Sequence, residues 1–480
     1  MRLGAILFTL GYGGCMIAGL MVIPWLLTLF DPAHRGTGGF TVALILTFFA
    51  SGALLLSGFS NRRHSARGLE LMLIMVLFWT VLPLVAALPL IGAQQIDSLL
   101  AAYFEAVSAL TTSGGSVMAQ PQLESAAILL WRALLGWLGG LWTLVFAVAV
   151  LAPFGIGGIT LTGSPLLQHE EGAPLTSRLG RPLRLIFPIY LALTALGFLG
   201  LVATGTNGFN ALCLSLSAIS TSGLVNHSDA LAVQLTLPAQ MVLSLQCFIG
   251  ALSIPLLLLM TLGARFDSAF RNSELSVLLV MIAFYAVVST ASIPDTNLLR
   301  AVMQSISLHS TAGFNLLADQ QIGQWPLVWL MLPVLIGGMA MSTSGGIKVM
   351  RAIILFKDLG VEIGKLTYPS SVHPLQLEGR RLEVGDFNAA WAFTAIFILF
   401  VTLGVLSLGL FGMTLSDAWP VVLAALTNSL AITMHFATPI DYAAMGGALQ
   451  IIITLLMIAG RIELLILMVM FTKTFWRYMR

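Results

Sequence analysis

Charge is what this sequence has least of. Only 9% of its 480 residues are Asp, Glu, Lys or Arg, against 58% that are hydrophobic, and the mean hydropathy is +0.97. So little charge cannot cover a water-facing surface, which excludes a soluble fold and points to a membrane. Cysteine is nearly as scarce. Cys15, Cys213 and Cys247 all lie in apolar sequence without metal-ligand spacing, which argues against disulfides and a zinc site. No glycine-rich phosphate loop follows a strand, so no nucleotide or other cofactor is expected on this chain. His169-Glu170-Glu171 lacks the two-histidine helical spacing of a zinc protease, and no apolar segment carries a convincing acid pair or Ser/His set. An intramembrane enzyme is therefore disfavoured, and nucleic acid is not an expected partner.

What remains is long apolar runs. Crossing a bilayer takes about 20 apolar residues. Such stretches run at about 3–30, 38–59, 70–93, 125–152, 182–205, 235–264, 274–293, 325–356, 386–413 and 445–472, which predicts ten spans. The first is too long for a signal-peptide core and reads as a retained helix. Lysine and arginine set the orientation. Arg2; Arg62, Arg63 and Arg67; Arg178, Arg181 and Arg184; Arg265 and Arg271; Lys348, Arg351, Lys357, Lys365, Arg380 and Arg381; and Lys473, Arg477 and Arg480 share one side if both termini are cytoplasmic. These are 18 of the 22 basic residues; the others are Arg35, Arg132, Arg300 and Arg461.

Four shorter apolar segments, 97–112, 207–221, 295–311 and 417–430, cannot span and read as re-entrant half-helices. On this orientation all four lie on the outer side. Each starts at a capping residue: Asp97, Asn207, Asp295 and Asp417. Each ends in a small polar run. The runs are Thr111-Thr112-Ser113-Gly114, Ser220-Thr221-Ser222-Gly223, Ser310-Thr311-Ala312-Gly313 and, in the equivalent place, Asn428-Ser429-Leu430-Ala431. Backbone that leaves a helix at membrane depth is tolerated only inside protein or along a watery path. Four such runs around an axis would offer carbonyl and hydroxyl oxygens in place of an ion's hydration shell. The half-helices would aim their partly negative C-terminal ends inward, and the runs contain no carboxylate ring of the kind that binds calcium. A monovalent cation, potassium or sodium, is the expected occupant of these residues.

The fold class expected is an all-α polytopic membrane protein. Four pseudo-repeated helix–pore-helix–helix units surround a central pore, with two extra N-terminal helices. The units are placed at 70–160, 161–270, 271–380 and 381–480, after an N-terminal pair at 1–69.

Several stretches together carry a family resemblance. They are Phe104-Glu105-Ala106-Val107-Ser108-Ala109-Leu110 leading into the first run, Trp131-Arg132, and Trp137-Leu138-Gly139-Gly140. To these add Ser342-Thr343-Ser344-Gly345-Gly346-Ile347-Lys348, Gly460-Arg461-Ile462-Glu463 and Phe475-Trp476-Arg477. From about residue 70 onward the chain resembles the Trk/Ktr/HKT superfamily of potassium transporters, most closely its bacterial TrkH type. The resemblance implies potassium uptake across the bacterial cytoplasmic (inner) membrane, with the potassium ion as substrate at the four runs. It implies a homodimer on a cytoplasmic nucleotide-binding regulatory subunit of TrkA type, alongside membrane lipid. It also implies that Gly337-Gly338-Met339-Ala340-Met341-Ser342-Thr343-Ser344-Gly345-Gly346, ahead of Lys348, forms an intramembrane gating loop below the filter. Arg461 would then lie near the pore beneath the filter.

Other residues have plainer expectations. Glu105 and Arg132 are expected to pair behind the first run and brace it. His227, Asp229 and His309 read as loop or packing residues near the mouth. The fourth run departs from the family, with Ala431 where a glycine is expected and a costly positive φ to follow. The second run has Leu224 and Val225 after its glycine in place of the usual aromatic. The alternatives are a sodium-permeable or non-conducting regulatory paralogue of the same fold, and a secondary transporter with alternating access. The last would more typically show two inverted halves than four parallel units.

Overall fold

A computed structural model describes residues 3–30, 37–61, 68–96, 98–151, 175–261, 272–292, 296–317, 325–367, 376–377, 380–382, 384–436, 438–473, 475 and 477. Outside these fall Arg2, Arg35, Arg62, Arg63, Arg67, Asp97, His169 to Glu171, Arg265, Arg271, Asp295, Trp476 and Arg480. The described chain is helical apart from one short antiparallel pairing of Gln376–Leu377 with Arg380–Arg381.

Among the described residues, seven helices are long and apolar enough to cross a membrane: Leu3–Leu29, Thr37–Gly58, Gly68–Ile91, Ala126–Leu151, Ser177–Ala203, Ser273–Ser292 and Val384–Leu410. Two further predicted spans are sharply bent. Leu237–Ala251 turns through 109° into Ile254–Thr261, and Gly447–Ile462 turns through 100° into Leu464–Met470. The first bend is where another segment inserts: Ala251 accepts from the Met339 N–H, and the Ile254 N–H donates to Met341. The second bend is at Glu463, which sits at φ 71° while Arg351 holds its carboxylate at 2.8 Å. The predicted span 325–356 is split into Leu327–Ile336 and Val349–Thr367, with the glycine- and serine-rich loop between them.

The four predicted half-helices are present as Leu99–Leu110, Gly208–Ile219, Leu298–His309 and Leu415–Leu426, hereafter pore helices one to four. Their caps differ from the expectation in three cases. Ser98, Asn207 and Asn297 accept N-terminal N–H groups through their side chains, and Thr414 precedes the fourth helix. Asp417 lies within the fourth helix's first turn, where its carboxylate accepts from the Thr414 hydroxyl at 2.7 Å. An acid in a first turn still suits the positive end of the helix.

The first pore helix and the span after it are buried almost throughout. A ring cluster of Phe78, Trp79, Trp142 and Phe146 supports the span's far end. Its near end is held by the Trp131 indole N–H, which donates to the Ala86 carbonyl at 3.0 Å. Gly139 presents no side chain to the pore helix. A Cβ there would fall 1.8 Å from the Leu110 carbonyl oxygen, so span and pore helix meet backbone to backbone.

Candidate functional site

All four pore helices end in the same way. A capping residue, Thr111, Ser220, Ser310 or Thr427, is followed by one in the left-handed region: Thr112 at φ 54°, Thr221 at 54°, Thr311 at 60° and Asn428 at 51°. The N–H of that residue returns to the carbonyl two before the cap, on Ala109, Ala218, Leu308 or Ala425. A following N–H closes a wider turn three before the cap, from Ser113 to Ser108, Ser222 to Ser217, Gly313 to Ser307 and Ser429 to Ala424. This is a Schellman-type ending, which normally uses glycine. A β-branched threonine at positive φ costs about 1–3 kcal/mol and persists only where packing enforces it. Three such threonines at equivalent positions mark one strained locus. Nothing in the composition of the runs signals this, because threonine is among the residues least suited to the conformation.

The shared geometry fixes the register and corrects the fourth run. Thr427-Asn428-Ser429-Leu430 is the counterpart of Thr111-Thr112-Ser113-Gly114, so the frame Asn428-Ser429-Leu430-Ala431 is one residue late. Leu430, not Ala431, occupies the glycine position. Gly114, Gly223 and Gly313 take φ of 75°, 69° and 69°. Leu430 instead begins a tight 3₁₀ helix, Leu430–His435, because a left-handed leucine is costly and a helical one is not. The positive φ expected at Ala431 does not arise.

The four runs meet. A Cβ on Gly114 would lie 2.2 Å from the Ser222 carbonyl oxygen, and one on Gly223 would lie 2.0 Å from that of Ala312. The third run abuts the fourth, since a Cβ on Gly313 would be 2.9 Å from the Ile432 nitrogen. The fourth closes back on the first through Ala431 N–H to the Ser113 carbonyl at 3.1 Å, and Asn428 Nδ2 to Ser113 Oγ at 3.0 Å. Most side-chain hydroxyls are turned back into the helix ends. Thr111 donates to Val107, Ser220 to Leu216, Ser310 to Ser307 and Thr427 to Leu423, while Ser113 and Ser429 bond to the capping hydroxyls before them. Backbone carbonyls are thereby the main oxygens left for the axis.

Braces hold this backbone. Glu105 pairs with Arg132 at 2.6 Å and accepts from the Val117 N–H at 2.9 Å and Ser116 Oγ at 3.0 Å. Arg132 also donates to Ser116 Oγ at 2.9 Å. The expected pair is thus there, and it clamps the strand that leaves the first run. Gln304 does the same for the third run and was not anticipated. Its Oε1 accepts from the Leu316 N–H at 2.9 Å, and its Nε2 donates to the Phe314 carbonyl at 3.2 Å. The signal was available: Glu105 and Gln304 each stand six residues before the run, and each accepts three residues past the glycine. His309 is a packing residue, its ring bonded to the Ser305 carbonyl and edge-on to Tyr285. His227 borders a cavity beside the runs.

The glycine- and serine-rich loop lies directly against the other side of the runs. The Gly345 N–H donates to Thr311 Oγ1 at 2.8 Å, and a Cβ on Gly345 would strike the Thr427 carbonyl oxygen at 1.7 Å. Thr343 Oγ1 bonds to the carbonyls of Gly250 and Ile219 and lies 3.4 Å from Thr221 Oγ1. Gly337 and Gly346, at φ 73° and 84°, form the crossing base of the loop, and Gly338 accepts from Val349. Lys348 ties it together, reaching the carbonyl and hydroxyl of Ser344 and the hydroxyl of Ser342. Two of the strained threonines, Thr221 and Thr311, therefore touch the loop through their side chains. Thr311→Val keeps the shape but removes the acceptor of the Gly345 N–H, a loss of about 1–3 kcal/mol. We expect amide exchange across 337–348 to quicken by about tenfold or more, read by hydrogen–deuterium exchange. Unchanged exchange would uncouple loop from run.

Two cavities flank the runs. One of about 310 Å³ is bordered by Gly114, Gly223, Ala431, Met434 and His435. The other, of about 50 Å³, lies on the loop side and is bordered by Ser344, Lys348, Asn428 and Arg461. Arg461 does not pair with Glu463, which is taken by Arg351. Among the described residues its Nε and Nη2 are buried without a hydrogen-bond partner, and the side chain lines the small cavity. Among the described residues no cluster of His, Cys, Asp and Glu could hold a metal.

Comparison with known proteins follows this geometry. A family model for the cation transport protein TrkH matches residues 40–272 and 272–478. The chain belongs to the TrkH family. The Trk system potassium uptake protein TrkH of Halomonas elongata is 31% identical, over 99% of this chain and 100% of that protein. That of Salmonella typhimurium is 30% identical, over 96% and 97%. The crystal structure of the potassium transporter TrkH from Vibrio parahaemolyticus superimposes with a TM-score of 0.85 at 26% identity, covering 99% of this chain and 100% of that one. This TrkH-family chain is a multi-pass membrane protein, and its pseudo-repeated helical architecture is that of the family.

Proposed function

We propose that this protein takes up potassium through the axis on which the four runs converge. The carrying observation is the fourfold recurrence of one strained helix ending, which brings four partly negative helix C-termini and their freed carbonyls to a single point. The ion-binding residues are then Thr111 to Gly114, Ser220 to Gly223, Ser310 to Gly313 and, in the corrected register, Thr427 to Leu430. The relatives' names as potassium uptake proteins favour potassium as the ion. The loop from Gly337 to Gly346, pinned by Lys348 and lying beside Arg461, is the gate, since it contacts the filter threonines and can move without breaking a long helix.

The asymmetry of lysine and arginine supports both termini in the cytoplasm, with the larger cavity outside, and the family likeness supports a bacterial inner membrane. Family likeness supports a homodimer and a TrkA-like nucleotide-binding regulator. Expression in a bacterium lacking its own potassium uptake is the test. Growth at low potassium and accumulation of rubidium, exceeding that of sodium, are expected. No rubidium entry, with the protein verified in the membrane and its regulator supplied, would end the proposal.

A further inference from the structure

One methyl group stands where the three filter glycines converge. A Cβ built on Gly114 would lie 2.8 Å from the Ala431 Cβ, one on Gly223 would lie 2.5 Å from it, and one on Gly313 would lie 3.2 Å from it. These glycines come from three different runs that follow one another around the axis, so the methyl sits among them. The same residue takes up an oxygen that an ion would use, because its N–H donates to the Ser113 carbonyl. The cavities on the two sides of the runs share no lining residue. Ala431 borders the larger, and Asn428, three residues back, borders the smaller.

Resting on the reading of the axis as a cation path, we propose that Ala431 is the constriction of that path and that ions pass only when the segment Leu430–His435 withdraws. The device follows from Leu430. A glycine there would continue the left-handed turn of the other three runs, whereas leucine turns the chain into a 3₁₀ helix that carries the next residue inward. Leu430 to Thr433 are buried, and the segment is tied by the Ala431 N–H to Ser113, the Ile432 N–H to Ser429, the Ile440 N–H to the Thr433 carbonyl, and Thr433 Oγ1 to Leu430 and to the Tyr442 hydroxyl at 2.6 Å. Its far end, Met434 and His435, is half-buried and borders the larger cavity, which gives the segment room to shift, and an ion that binds the withdrawn form better would bias it. Three runs give the filter its glycine tier, and the fourth supplies a stopper.

The test is rubidium flux into vesicles of phosphatidylethanolamine and phosphatidylglycerol carrying the full chain. Ala431→Gly should raise flux about tenfold by shifting the equilibrium toward the withdrawn form, and Ala431→Val should lower it below that of the unaltered chain. Adding Gly114→Asp should abolish flux in each. If Ala431→Gly leaves flux unchanged or lower while Gly114→Asp still abolishes it, the constriction is wrong and the pore stands. If Gly114→Asp has no effect, the pore reading fails and takes the constriction with it. Should Ala431→Gly not assemble, Ala431→Cys in a Cys15→Ser background gives a second measure. Labelling by a membrane-impermeant cationic thiol reagent from the pore-helix side, slowed by potassium, supports the placement. Absent or potassium-insensitive labelling overturns it.

Discussion

Gly114→Ala should cut rubidium uptake by roughly a hundredfold while the protein still reaches the membrane. Two effects act in the same direction. Gly114 is at φ 75°, where an L side chain costs about 1–2 kcal/mol. The added methyl would also lie 2.2 Å from the Ser222 carbonyl oxygen and 2.8 Å from the Ala431 Cβ. Neither neighbour is the end of a flexible side chain, so the first run must move away from the axis. Displacing one of the runs removes its carbonyls from any ion held there, and we expect a loss of roughly a hundredfold, ~2.8 kcal/mol in transport. Uptake and surface amount measured together decide it. Equal uptake per molecule would show that ions do not pass beside Gly114.

The second large effect is on assembly. Glu105 is fully buried against Arg132, with the Ser116 hydroxyl and the Val117 N–H on its two oxygens. Glu105→Ala strands a buried guanidinium and an N–H at once. Breaking such a pair costs about 3–5 kcal/mol, so the detergent-solubilised protein should unfold at a markedly lower temperature. Removing both partners, as in Glu105→Ala with Arg132→Met, should recover part of that loss, since no uncompensated charge remains. A double variant no better than the single would mean that the pair acts through packing rather than charge.

Much of this molecule is legible before folding. The apolar runs are long because each must cross hydrocarbon, and the half-length ones betray themselves by being too short. The pairing of Glu105 with Arg132 follows from the cost of either charge alone at membrane depth. The caps were less legible. Ser98 and Asn297 stand beside the acids Asp97 and Asp295, and local sequence cannot choose between two good caps one or two residues apart. The bends at Ala251 and Glu463 were not legible either. Each depends on a distant segment, the inserted loop in one case and Arg351 in the other.

The fourth run shows where the boundary lies. By itself the sequence determined that four polar ends recur, that three carry glycine, and that the last does not, because composition and spacing are local properties. Only the tertiary structure decided the register of that last run. Asn428 is identified as the partner of Thr112, Thr221 and Thr311 by a shared left-handed φ, which packing imposes against threonine's own preference. That shift of one residue puts Leu430 in the glycine's place and turns the Ala431 methyl toward the other three glycines. Which atom reaches the axis depends on backbone angles set by neighbours hundreds of residues away, and no window of sequence contains them.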